Sequence, residues 1–562
     1  MTARTEPTTM RDADALAARV KDLEGRLAAV TSERDKFRRA YELLVVEVQR
    51  LRRRIFMAKA ERVDAAQLEL EFAHKRAELE RLSALLGVPL EPEVVDPSMA
   101  PEPKSKTKKN KAPPVGRRNL RELDMPEERC EVRDPALEGH AEVIGFDESV
   151  KIGYRRASFV RFIIARAKYK TTDAQGSEAF PTPTSPKELF PKTLAAPSLI
   201  AHILCAKFAY GMPFHRQEEK LAADGLPLDR GTMCRWAEHA GMSLGWIVQA
   251  ALEEAKRTAF CLSTDATGIA IQPEPSKSGA RQACRKGHFF VTLADKDHVF
   301  LEYQPKHTSE AVSAMFRGFE GYVQADAHSV YDALFRGAPP TDAGDDARTP
   351  PPTEVGCWSH ARRKFFDAAA AKDAIAREGL FRIRMFFENE AAWKDVPPAK
   401  RTALRQQRTK PLLDAFFAWA EAEFARVKGQ RGFLATALGY AVRQRAPLSR
   451  FLEDGRLRID NNASERALRP IAVGRNAWLF CGSDDHAQAA ANIFSLVASC
   501  RLHGLDPEAY FTDVLRVFAA WPVARHIELA PKYWAATRAQ LDAAELERPV
   551  GFVTIPAPPA KQ

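Results

Sequence analysis

The sequence predicts a mixed α/β fold, in which a mixed sheet flanked by helices is broken by a helical insertion and preceded by a coiled coil and a trihelical region. Three patterns carry that expectation. Between residues 251 and 484, apolar alternation gives the order strand, strand, strand, helix, strand, helix, strand, followed by a helical stretch at about 368–455. An N-terminal apolar seam keeps a 3.5-residue period. Between the two, residues 197–242 read as three short helices.

The chain has 562 residues, of which 28% are charged and 45% hydrophobic, enough for several cores and too long for a small disulfide scaffold. Its 8 Cys are scattered without a C-x-x-C pair, so reduced thiols are expected. No segment has the length of an apolar membrane span, and the first residues lack the apolar core of a secretory signal. These features predict a soluble, cytoplasmic protein without a membrane partner. The net charge of +10 is local. Eight basic residues and no acid lie between Lys104 and Arg121, and five more lie between Arg50 and Lys59, leaving the rest of the chain at about −3. Such arms suit a polyanion.

The seam runs through Leu16, Val20, Leu23, Leu27, Val30, Phe37, Tyr41, Leu44, Val48, Leu51 and Ile55, with one polar interruption at Arg34. It predicts self-association through 14–57, pairing with the helical segment 65–85 being the alternative. The 1–88 region is therefore read as coiled coil and helix. Residues 89–118 hold seven prolines and the lysine run, and read as a solvated linker. Short strands are expected within 119–180, for example Phe159 to Ala165. In 181–250, helices are expected at Ser198 to Tyr210, at Arg216 to Ala223, and from the N-cap Asp229 to about Met242, with a turn at Gly225. Two short helices around a Gly turn fit a helix-turn-helix that presents Arg230 and Arg235, although such units also serve as plain packing modules.

The segment FCLSTDATGIAIQ alternates as a strand with Asp265 at its middle, and a hairpin at Asp295-Lys296-Asp297 joins the next two strands. A fourth strand, GYVQADAHSVYDAL, carries Asp326, and a Pro/Gly/Asp-rich loop from Gly337 to Pro352 precedes the strand and basic helix of EVGCWSHARRKFFDAA. This is the order of a ribonuclease-H-like sheet, whose first strand is central with the fourth beside it. Asp265 and Asp326 would then stand a few Å apart and repel unless divalent cations bridge them. Mg²⁺ suits carboxylates, waters and phosphate oxygens, and two such ions can drive an in-line phosphoryl displacement. A third carboxylate is expected from RLRIDNNASERALRP, where Asp460 or Asn461 caps a short helix carrying Glu465. Taken singly, an Asp in a strand more often sits at a turn or pairs with a lysine, and a Glu on a basic helix is usually part of a surface ion pair; the set of three points to a site. Near them, His360, Arg362, Arg363, Lys364, Arg466, Arg469 and Arg475 can hold phosphates or form a solvated basic face.

At these residues the sequence resembles the insertion-sequence-66 family of transposases, which are DDE-type enzymes. The resemblance rests on LRRRIFMAKAER (51–62), GRR (116–118), APSLIAHILCAKFAYGMPFHRQEEKLAADGLPLDRGTMCRWAEHAG (196–241), VQADAHSVYDALF (323–335), EVGCWSHARRKFFD (354–367), RIDNNASERALRPIAVGRNAWLFCGSD (458–484) and HGLDPEAYFTDVL (503–515). It implies a ribonuclease-H-like catalytic domain (251–484) interrupted by a helical insertion, with Asp265, Asp326 and Glu465 as the triad holding Mg²⁺ or Mn²⁺, and a C-terminal helical module (485–562). It further implies hydrolysis at the element's 3′ ends, then attack of the freed hydroxyls on target DNA. The implied partners are double-stranded DNA (terminal inverted repeats and target), a homo-oligomer through the coiled coil, and accessory proteins of the same element. The family's small zinc module is degenerate here, with Cys130 and His140 alone in 119–180 and KYKTTDAQ (168–175) where a Cys pair would stand, so no zinc is expected. DNA contact is therefore expected from Lys104, Lys106, Lys108, Lys109, Lys111, Arg117 and Arg118, with Arg230, Arg235, His360, Arg362, Arg363 and Arg466. The rival readings are a ribonuclease-H-like nuclease without strand transfer, and an inactive or domesticated DNA-binding protein.

Overall fold

The computed structural model describes isolated positions between Arg19 and Leu44, residues 66–86, and residues 126–558 except 135, 140, 156–157, 173–177, 191–192, 274–281, 337–349 and 372. Most of the heptad seam at 14–57, the basic linker from Lys104 to Arg118, His140 and most of the Gly337 to Pro352 loop lie outside the described residues. The chain divides into two compact units, 1–113 with 367–374, and 114–366 with 375–562. In the first, helix α1 (Ala66–Leu86) is polar on most faces and carries helical ion pairs, Arg76 to Glu80 at 3.2 Å and Lys75 to Glu78 at 3.8 Å.

The second unit opens with a small sheet in the order β1-β3-β2, with β4 also pairing β3. Short strands were the expectation for 119–180. The structure instead has a long ribbon of β2 (Glu142–Arg155) antiparallel to β3 (Ser158–Thr172), with β1 (Glu127–Val132) parallel to β3 and β4 (Glu178–Ala179) at its far end. Val160, Phe162 and Ile164 are buried on one face of β3 and Ala165, Ala167 and Tyr169 on the other, and a cross-strand ion pair joins Arg166 to Asp147 at 2.5 Å.

Helices α2 (Pro197–Phe208), α3 (Phe214–Ala223) and α4 (Arg230–Thr258) follow. Gly225 turns the chain at φ 86°, and the Asp229 carboxylate caps α4 by accepting the Thr232 N–H at 3.1 Å. The third helix does not stop near Met242 but runs on for 29 residues. Gly241 and Gly245 look like helix breakers in the sequence. In the fold they let α4 lie against helix α14 (introduced below): a Cβ on Gly241 would stand 2.3 Å from the Ala489 carbonyl oxygen, and one on Gly245 would stand 2.5 Å from Asn492. The Asn492 amide donates to Gly241 O at 3.0 Å. Gly241→Ala is therefore expected to force the helices apart and cost about 1–3 kcal/mol, read as a lower urea midpoint.

The main sheet has the order β7-β6-β5-β8-β9. Strands β5 (Cys261–Ile271), β6 (Arg285–Ala294) and β7 (His298–Gln304) run antiparallel in sequence, and β8 (Tyr322–Gln324) and β9 (Thr353–Val355) add parallel on the other side of β5. The first strand is thus central and the fourth lies beside it. The β6–β7 turn falls at Asp295, whose φ is 49° and whose carboxylate accepts the Phe260 and Cys261 N–H groups at 2.8 and 3.0 Å. Helices α5 (Ser309–Met315) and α6 (Asp332–Arg336) flank β8 in sequence.

After β9 come α7 (Trp358–Ala370), α8 (Ala374–Ala392), α9 (Pro398–Leu404), α10 (Lys410–Val427), α11 (Phe433–Arg443) and α12 (Arg445–Ser449). This insertion has its own aromatic core of Trp358, Phe365, Phe386, Phe416, Phe417 and Phe451. A π-helical turn at Arg405–Thr409 separates α9 from α10. Pro411 explains it: the missing N–H and the ring both oppose an ordinary turn before it.

The chain then returns to the sheet through α13 (Asn462–Trp478), α14 (Asp484–Leu502), α15 (Pro507–Val517), α16 (Pro531–Arg538) and α17 (Ala543–Glu547). Leu479, at φ 65°, ends α13, so that Cys481 can bridge to Ile271 on β5. Helix α14 closes the free edge of β7. Ser499 Oγ accepts the Val299 N–H at 3.1 Å and donates to Val299 O at 3.1 Å, and Ser495 Oγ accepts the Leu301 N–H at 2.7 Å. One hydrophobic core therefore joins α2, α4, the sheet, α14 and α15, segments that the sequence divides among 181–250, 251–484 and 485–562.

Candidate carboxylate site

Strand β5 carries Asp265 at its centre, next to buried Thr264, and β8 leads to Asp326. The parallel register pairs Ser263 with Gln324, and each acid lies two residues beyond that pair, so the two face each other across the sheet. Asp326 is not within its strand, as the alternation suggested. Strand β8 ends at Gln324, and Asp326 stands just past its C-terminal end. Buried Gln324 fixes this corner, donating to Arg458 O at 2.8 Å and Gly356 O at 3.3 Å.

Asp265 Oδ1 accepts the Ala266 N–H at 2.8 Å. Burial nevertheless pushes its carboxyl up to about 6, opposed by that hydrogen bond and reinforced by the negative fields of Asp326 and Glu465. The three acids are therefore within electrostatic reach of one another around Asp265.

Glu465 comes from the first turn of α13, a helix of 17 residues rather than a short one. Asn461 precedes it without capping it. Its side chain instead donates to Thr264 O at 2.6 Å, and its N–H donates to Cys357 Sγ at 3.2 Å, pinning the start of α13 to β5 one residue from Asp265. The capping belongs to Asp460, which accepts the Asn462 N–H at 3.2 Å and its side-chain amide at 2.7 Å. Asn461 and Gln324 are the positioning residues that sequence reasoning did not single out for this role. Buried amides reaching carbonyls more than 100 residues away leave no local signal.

His360, at the start of α7, places Nε2 3.9 Å from Glu465 Oε1, and Ser359 Oγ lies 3.4 Å from Asp460 Oδ2. Arg362 and Arg363 follow on exposed positions of α7, and Arg466 is exposed beside Glu465. Arg475 is turned to the sheet, donating to Gly268 O at 2.7 Å and Thr267 Oγ1 at 3.0 Å. Arg230 and Arg235 are exposed at the start of α4, Arg230 with its Nε 3.9 Å from Glu218 and Arg235 donating to Thr232 Oγ1 at 2.9 Å. A row of imidazoles, His288, His307 and His328, stacks at centroid distances of 5.0 and 4.8 Å and ends two residues after Asp326.

The donor chemistry fits a hard divalent cation: carboxylate oxygens, with the Asp265 carboxyl raised chiefly by burial and further by its acidic neighbours. Among the described residues, no group of three or more His, Cys, Asp or Glu stands at metal-enclosing distance, and Glu465 has His360 Nε2 3.9 Å away.

A five-stranded mixed sheet with one acid at the middle of β5, a second just past the end of the adjacent parallel strand β8, and a third from a returning helix defines an α/β protein with a carboxylate-centred site. The family described as "Transposase IS66 family" matches residues 192–489, and the IS66 C-terminal element matches 495–531. The chain belongs to the IS66 transposase family. It is similar to three uncharacterized proteins of Sinorhizobium fredii (strain NBRC 101917 / NGR234): y4qI, 28% identical over 69% of this chain and 71% of that protein; y4hP, 30% identical over 66% and 68%; and y4jD, 26% identical over 61% and 67%. The first match contains all three acids and the insertion, whereas residues 1–191 lie outside both family matches. No helix among the described residues is long and apolar enough to cross a membrane.

Proposed function

We propose that the protein is a DDE transposase that cleaves DNA at the ends of its element and joins the freed 3′-hydroxyls to target DNA, on a ribonuclease-H-like sheet. The observation that carries this reading is the parallel β5–β8 register, which sets Asp265 and Asp326 at matching positions, with Glu465 entering from the first turn of α13. The strand order, with its first strand central, supports the fold assignment.

Asp265, Asp326 and Glu465 would hold Mg²⁺ or Mn²⁺. When bound, two such ions supply a nucleophilic oxygen and stabilise the leaving oxygen of an in-line displacement. Asp265 and Asp326 give the rigid half of the site, because Asp265 stands on β5 and Asp326 directly follows the Gln324 corner of β8. Glu465 rides on α13, placed by Asn461, and His360 orients its carboxylate. Arg362, Arg363 and Arg466 line the approach and are suited to phosphates, while the linker lysines and arginines with Arg230 and Arg235 would hold duplex outside the site. Self-association through the N-terminal heptads would bring two ends together in the cytoplasm, with accessory proteins of the element as further partners.

The full-length chain, incubated with Mg²⁺ or Mn²⁺ and duplex carrying its element's termini, is expected to nick and join. Asp265→Ala, Asp326→Ala and Glu465→Ala are each expected to lower both products about a thousandfold, corresponding to the several kcal/mol of charge stabilisation lost. Unchanged nicking in these variants would overturn the reading. Nicked products without joined molecules would identify a nuclease instead.

A further inference from the structure

The insertion carries an exposed surface of arginine and phenylalanine side chains. On α8, Arg377, Phe381, Arg384 and Glu388 are all exposed and follow one helical face, Phe381 at 64% exposure. On α7, Arg362 and Phe366 are exposed one turn apart, Phe366 at 60%. Arg362, Leu380, Phe381, Arg384 and Phe387 line a groove of about 620 Å³ between these helices, large enough for a nucleotide-sized group. Arg384 shares its charge with Glu388 at 2.6 Å. Arg362, Arg363 and Arg377 make no ion pair among the described residues, so the surface is net positive. Arg362 follows His360, which faces Glu465, by a rise of about 3 Å on α7 but about 200° around the helix, so the groove opens on a different side of α7 from the His360–Glu465 contact.

Aromatic side chains left in water next to unpaired arginines are poorly explained by stability. They match single-stranded nucleic acid, whose bases stack on rings while cations follow its phosphates. We propose that the groove between α7 and α8 holds an unpaired stretch of the DNA end being processed, Phe381 stacking on a base and Arg362 and Arg384 on its phosphates. Duplex DNA does not need such a ring, because its bases are already stacked. The proposal rests on the transposase reading and adds a specific need: strands must separate locally at the cleaved end.

The test measures binding of the full-length protein, in EDTA, to a fluorescent duplex that is either blunt or carries a short oligo-dT 3′ overhang. Wild type is expected to prefer the overhang. Phe381→Ala should reduce that preference by about 5- to 100-fold, the worth of one stacked base, and leave blunt-duplex affinity unchanged. Phe381→Tyr should retain it. The exposed position makes misfolding of either variant a poor explanation. An overhang preference unaffected by Phe381→Ala, or absent from wild type, overturns the proposal. Metal-dependent nicking by wild type is scored separately: its absence with the Phe381-dependent preference intact would sink the transposase reading while the groove stands.

Discussion

Replacing Arg405 by alanine is expected to cost about 3–5 kcal/mol and to unravel the helical insertion first. The side chain is fully buried at the π-helical turn, and all five of its N–H donors are used. Nε and one terminal nitrogen grip the Glu390 carboxylate at 2.8 and 2.6 Å, and the remaining donors reach the carbonyls of Phe451, Asp454 at 2.7 Å and Leu457 at 2.9 Å. Removing the guanidinium leaves a carboxylate and three carbonyls without their partner in a closed space. Lysine does not rescue the site, because three donors on one nitrogen cannot span that fork. A urea titration gives the size of the loss. Hydrogen exchange gives its place, with protection expected to fall across 380–455 before it falls in β6 and β7. Equal loss in the main sheet would show that the insertion does not unfold as a separate element.

Asp265→Asn is expected to do the opposite to stability while abolishing activity. The folded carboxyl binds its proton up to about 6, against 3.8 for the free side chain, so the folded state holds more protons than the unfolded state between those values. Stability from this residue is present below pH 4, falls as pH rises through the window from about 4 to 6, and is absent above it. The neutral amide removes the penalty and keeps the acceptor for the Ala266 N–H. At pH 7.5, without divalent cation, the variant should be more stable by about 1–3 kcal/mol, with the advantage vanishing as pH approaches 4. Adding Mg²⁺ should stabilise wild type and leave the variant unmoved. A variant less stable than wild type at neutral pH would contradict the raised carboxyl.

Much of this could be seen in the sequence where the signal is local. The β5 alternation, the Asp295 hairpin and the Asp229 cap each depend on a few neighbouring residues, and each is found where it was expected. Asp326 was placed inside a strand because alternation continues through ADAH, whereas pairing with β9 stops at Gln324. Helix α4 was cut short at Gly241, since a glycine that permits close helix packing and one that ends a helix look alike in one dimension. Arg405 sits in KRTALRQQRTK, which reads as a solvated basic helix, and only the proline at 411 betrays the widened turn that places it inside. For the site, the residue types of the three acids were visible. The amides of Asn461 and Gln324 that position them were not, because their partners are distant in the chain.

The serines that close β7 have a consequence for synthesis. Ser495 and Ser499 bind strand groups made about two hundred residues earlier, and Asn461 binds Thr264 across a similar gap. On the ribosome, the strands bearing Asp265 and Asp326 emerge first and must wait with one edge open until the C-terminal helices arrive. Contacts of such long sequence separation make folding slow and leave the unfinished sheet exposed to other chains. A closed sheet and all three carboxylates come together only once the chain has grown past about residue 500.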